Sequence, residues 1–285
     1  MRIIAVFALL LVSAAQILFA QKTTPTYTLA EAVAQKLVEM QLEGTGGHSG
    51  ESLSMTCKNL KNTSFRVRVP IGQLMNPADS NLQTLVVADE QVFAMQAKAT
   101  RSLKLKAFCS QAGDGSPGTG SAFSVGAMGP EKLIQLLKYV SENNIVDDGD
   151  VQSAVWCVTN GHTPASIGDA GLKIFTSKLV GRDVPQYRIR YHTEDPQPGR
   201  RADWGKALVV ESQFQYTLEK DTKLDMLLLN VEGKTIKVLR KDELSKAGEH
   251  RSGMKLEVYN LDPGKYTVRL QKKNGEVIKD MLVEF

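Results

Sequence analysis

The run DDGDVQSAVWCVTNG, from Asp147 to Gly161, places a carboxamide, an indole and a thiol (Gln152, Trp156 and Cys157) within six residues. Two further thiols, Cys57 and Cys109, bring the total to three, so at most one internal disulfide can form. Two outcomes suit these residue types. Gln152 takes part in chemistry with one of the cysteines. Or it caps a backbone group, while Trp156 fills core and Cys109 either pairs with Cys157 or stays a buried thiol.

Other chemistry finds little footing. In GGHSGES the serine, Ser49, is followed by Gly50 and Glu51, which breaks the G-x-S-x-G spacing of a nucleophile elbow. His48, His162, His192 and His250 are far apart and lack metal-ligand spacing. Asp147 and Asp148 read as a solvated turn after a helix, and no glycine-rich loop is placed to cradle phosphate. The expectation is a non-enzymatic protein with no cofactor and no metal.

The elements around the segment read mainly as strands. Residues 21–45 read as a leader in which a helix, with Leu29, Ala32 and Val33 on one face, passes into a strand where Val38, Met40 and Leu42 alternate with polar residues. From Ser52, SLSMTCKNL, FRVRVPIG, LQTLVVAD, QVFAMQA and SLKLKAFCS follow at short spacing, the pattern of an antiparallel sandwich. QAGDGSPGTGSAFSVG reads as a Gly/Ser-rich loop.

Two helices are predicted next, across 130–158. The first has Pro130 in its first position and Leu133, Leu136, Leu137 and Val140 on one face. The second is N-capped by Asp150, with Val151, Ala154, Val155 and Val158 in register. Packed on one end of a sandwich domain spanning 46–195, they would bury Trp156. Order weakens after Gly161, with QYRIRYH as a possible strand before a boundary at Glu194–Gly205. Residues 205–285 read as a second β-sandwich, with hairpin signals at VEGK, DPGK and KNGE. The expected fold class is mainly β: two β-sandwich domains, the first carrying an inserted helical segment.

Composition bears on location. Residues 1–20, MRIIAVFALLLVSAAQILFA, have a basic start, a short apolar run and a small-residue cut site, the three parts of a secretory signal peptide. The apolar run is shorter than the about 20 residues of a membrane span, and no second candidate follows. Loss of Arg2 with the signal leaves 34 basic against 31 acidic residues, a net +3 spread along the chain. So weak a bias gives no reason to expect nucleic acid or an anionic membrane as partner.

Two resemblances add to this. VQSAVW, together with AFCS at Cys109, resembles the bacterial surface thioester domains over residues 45–160. That likeness implies an internal thioester between Cys109 and Gln152, shielded from water by Trp156 until an amine arrives. LLLNVEGKTIKVL and LDPGKYTVRLQKKNGEVIKDMLVEF resemble the Ig-like sandwich of the flagellar hook-capping protein and the C-terminal sorting domains of type IX secretion. The expected function is therefore an exported binding or adhesion module, periplasmic, surface-bound or extracellular, of a Gram-negative cell, with an unknown protein or glycan as ligand. The alternatives are a covalent adhesin using the Cys109–Gln152 thioester, and a secreted substrate with a C-terminal sorting signal.

Overall fold

The computed structural model describes residues 24–47, 49–193 and 204–285. The expected signal peptide, His48 and most of the expected Glu194–Gly205 boundary lie outside the described residues.

In chain order the first sandwich comprises β1 (Thr26–Thr28), α1 (Leu29–Ala34), β2 (Val38–Thr45), β3 (Leu53–Asn59), β4 (Phe65–Val69), β5 (Gln73–Pro77), β6 (Leu85–Val87), β7 (Gln91–Met95), β8 (Thr100–Leu105), β9 (Ala107–Cys109) and β10 (Thr119–Met128). Its smaller sheet has the order β1-β4-β7, and its seven-stranded sheet the order β8-β3-β2-β10-β5-β6-β9. Inward-facing Leu42, Met55, Val67, Met75, Leu85 and Met95 close the core between them.

The alternation seen in the sequence is what permits this: side chains one apart leave opposite faces of a strand, so apolar residues at every second position line one face. Helix α1 starts because Thr28 and Glu31 form a reciprocal capping box. It stops where Lys36 takes φ +52°, turning the chain into β2.

Of residues 21–45, expected to be a leader, the described part from β1 onward is integral to this sandwich. Leu29 and Ala32 are core and β2 lies inside the large sheet, although Val33 faces solvent. The expected loop also divides. Its second half forms β10, paired to β2 and β5, which the Gly/Ser content of TGSAFSVGAM concealed. At Gly126 any Cβ would sit 2.8 Å from the Asn76 amide, so a larger residue there would displace that exposed side chain.

Three helices follow: α2 (Glu131–Glu142), α3 (Asp150–Asn160) and α4 (Ala170–Val180), with a 3₁₀ turn at Pro164–Ser166 before the last. They lie on the outer face of the β5-β6-β9 end of the large sheet. There Val86 and Phe108 meet Leu133, Leu136, Val151 and Val155 in a second core. The sequence places α2 and α3 well, with one-residue shifts at their starts. Pro130 precedes the first helical residue rather than occupying it, and Gly149 takes the cap position assigned to Asp150. Helix α4 was not anticipated, because Gly171 and the turn residues before it mask the pattern. Its boundary signals are nonetheless present: the Asp169 side chain accepts from Leu172 N, and Gly181 ends the helix at φ +74°.

The second sandwich is built from β11 (Tyr187–Thr193), β12 (Trp204–Leu218), β13 (Thr222–Leu229), β14 (Thr235–Ser245), β15 (Gly248–Glu257), β16 (Lys265–Lys272) and β17 (Val277–Glu284). The sheets β11-β12-β15 and β14-β13-β16-β17 enclose Val210, Phe214, Leu228, Leu256, Val268 and Val283. Because β11 pairs with β12 and buries Ile189 in this core, the second sandwich begins at Tyr187, ahead of the expected boundary. VEGK and KNGE are hairpin turns, but DPGK is not: it carries the chain from β15 in one sheet to β16 in the other.

Candidate functional site

Strand β9 is the last strand of the large sheet, so one side of its backbone has no strand neighbour. Ser110 N–H donates back to Thr84 O, on the β6 side. Cys109, one residue earlier, turns its N–H and C=O the other way. There Gln152 meets both: its Oε1 accepts from Cys109 N at 3.0 Å and its Nε2 donates to Cys109 O at 2.7 Å. The carboxamide, only 4% exposed, does for Cys109 what a neighbouring strand would do. Unpaired, each buried group would cost on the order of 1–3 kcal/mol.

Helix α3 keeps this register along the edge. Before it, Asp147 pairs with Lys106 at 2.7 Å, and at its end Asn160 Oδ1 accepts from Ala112 N at 3.2 Å. Asn160 and the Asp147–Lys106 pair were not singled out from sequence. A polar residue just before the helix-ending Gly161 was the available signal.

Trp156, one turn beyond Gln152, is 2% exposed and packs into the sandwich core that also holds Cys109. Cys157, on the neighbouring face of α3, belongs instead to the core under the helices. Cys57 lies in the sandwich core on β3, and all three cysteines are free thiols. The structure thus brings together Cys109, Gln152 and Trp156, and leaves Cys109 and Cys157 unlinked. Burial pushes every thiol up, Cys57 to about 11, Cys157 to about 12, and Cys109 upward as well. Near neutral pH these are thiols rather than thiolates, and the thiolate is the nucleophile. No grouping of His, Cys, Asp and Glu suited to a metal ion occurs among the described residues.

A second constellation lies where the helical layer meets the second sandwich. Asp150, at the start of α3, accepts at Oδ2 from Gly168 N (2.8 Å) and Asp169 N (2.7 Å) and stands 3.7 Å at Oδ1 from Arg188 of β11. A Cβ at Gly168 would come 2.7 Å from the Arg188 guanidinium, so glycine leaves room for this clasp. Beside it opens a cleft of about 860 Å³, lined by Lys173, Ile174, Val184, Tyr187, Arg188 and Glu211 among others. A smaller pocket of about 410 Å³, with Ser166, Arg190 and Tyr191, shares Arg188 with it.

Comparison with known proteins supplies no family: no family model matches the chain, and no curated protein matches it in sequence. Among the described residues, no helix is long and apolar enough to cross a membrane.

Proposed function

We propose that the protein is an exported, non-enzymatic binding or adhesion module of a Gram-negative cell envelope, working in the periplasm or at the outer surface. The observation that supports it is the cleft of about 860 Å³ between α4 and the second sandwich. It is within the size range of ligand sites and is framed by a helix and strands rather than by loops alone. Exposed Ile174 and Val184 give it apolar walls, and Lys173 and Arg188 give it fixed charge. Export rests on residues 1–20. Probing glycan and protein arrays with the chain from Gln21 onward tests the reading. Saturable capture, lost in Ile174→Arg, is expected; capture indifferent to that substitution, or none, would count against the cleft.

A second reading, the covalent adhesin, is favoured by one observation: Gln152 and Cys109, 43 residues apart, are in contact. A thioester would form when the Cys109 sulfur attacks the Gln152 carboxamide carbon and ammonia leaves, carrying the thiol proton. The geometry ranks this reading second. Condensation removes Nε2, the donor to Cys109 O, from a buried site, and burial holds the attacking sulfur protonated. An intact mass below that of the sequence by one ammonia would reverse the ranking.

A further inference from the structure

We propose that the cleft binds a carboxylate-bearing ligand, with Lys173 and Arg188 taking its oxygens. The assignment deepens the binding reading and rests on it. Its basis is the imbalance of charge left after the groups present have paired with one another. Of the two carboxylates that line the cleft and the smaller pocket, Glu211 is held by Arg190 at 2.8 Å, while Asp169 beside them accepts from Leu172 N. Asp150 already accepts two backbone N–H groups through Oδ2, and reaches Arg188 only at 3.7 Å.

Lys173 is left over. Among the described residues it has no carboxylate within ion-pair distance, and its Nζ meets only the Tyr187 carbonyl, at 3.5 Å. Three cations thus face two engaged carboxylates across one junction. Burial, and then the neighbouring Arg188, hold the Lys173 amine below its ordinary range, with Asp150 opposing. An arriving carboxylate would offset the repulsion between the two cations. A guanidinium and an ammonium side by side suit that group, the first offering a planar fork and the second a point charge.

The rest of the cleft fits a ligand whose body is not charged. Ile174 and Val184, exposed by 43% and 39%, flank the cations and would cover carbon skeleton. Both a sugar acid and an acidic peptide combine a carboxylate with such a body, and the probes separate them.

The experiment is calorimetric titration of the full chain with three probes: a galacturonate oligomer, a glutamate oligomer and a neutral dextran oligomer. One acidic probe is expected to bind, more weakly at high salt, and its identity names the source of the carboxylate. Lys173→Met, which keeps the apolar stem, should weaken that binding by about tenfold or more, and Arg188→Met should do the same. Because Arg188→Met also loosens the Asp150 clasp, Lys173→Met decides, with an unchanged melting temperature as its control. Unchanged affinity in Lys173→Met, or binding of neither acidic probe, overturns the assignment. If dextran or a neutral array ligand still requires Ile174, the carboxylate class fails and the binding reading stands. If nothing binds, both fail.

Discussion

Strand β9 and strands β14 and β17 all end a sheet, and the protein treats them differently. On β9, Ala107, Phe108 and Cys109 are buried on both faces, one side toward the sandwich core and the other toward the helices. A charged guard residue has no place there, since it would have to be buried. The open backbone is covered instead by α3, whose Gln152 supplies a donor and an acceptor on one rigid carboxamide. Strands β14 and β17 each pair with one strand and remain half in solvent. Their exposed Val238, Leu244 and Leu282 are interspersed with Lys237, Lys241, Asp280 and Glu284, charges that discourage a further strand. The lesson is that burial decides the remedy: a wet edge is guarded by charge, while a dry edge needs a matched polar partner.

The contrast can be broken at several points. The largest effect concerns where the second region starts. A fragment of residues 183–285 should unfold cooperatively in urea. A fragment of residues 202–285, without β11 and its ladder to β12, should show no cooperative transition. A cooperative transition in the shorter piece would put β11 outside the folding unit.

Next comes Trp156→Ala, which empties a buried site in the first sandwich and should cost about 3–5 kcal/mol in urea denaturation. Gln152→Ala removes both partners of Cys109 and should cost about 2–3 kcal/mol, although the side chain lost is polar. Leu282→Lys, on the wet edge, should stay within about 0.5 kcal/mol of wild type. If Gln152→Ala proves as mild as Leu282→Lys, the covered-edge account is wrong.

The same division separates what the sequence discloses from what it hides. Hairpins of the second sandwich are legible because their signals are local: Asn274-Gly275 sits between two alternating runs, and Gly275 takes φ +86° as such a turn requires. Helix α2 is legible because Leu133, Leu136, Leu137 and Val140 repeat with the helical period and all are buried. The β10 strand is not, since its glycines and serines answer to neighbours such as Asn76 on another strand.

DPGK shows the limit of turn chemistry. It announces a reversal but not which sheet receives the next strand. At the site, residue types identify Cys109, Gln152 and Trp156 as a group worth watching, and the structure brings them together. The bond pattern that defines Gln152's role depends on β9 being an edge, a property of the assembled sheet that no local pattern records. The Asp150 clasp and the Lys173–Arg188 pair are illegible for the same reason, joining helices to a strand assigned from sequence to the other side of a boundary.

Gln152 clamps a buried sheet edge through both polar atoms of its carboxamide, an arrangement that requires the carboxamide to be intact. Intact-mass spectrometry of the purified chain, before and after methylamine, tests it most directly. The account predicts the full mass of the chain with no loss of ammonia, and no methylamine adduct in wild type or in Cys109→Ala. A wild-type chain lighter by one ammonia, which gains methylamine at Gln152 and loses that reactivity in Cys109→Ala but not in Cys57→Ala, would contradict it.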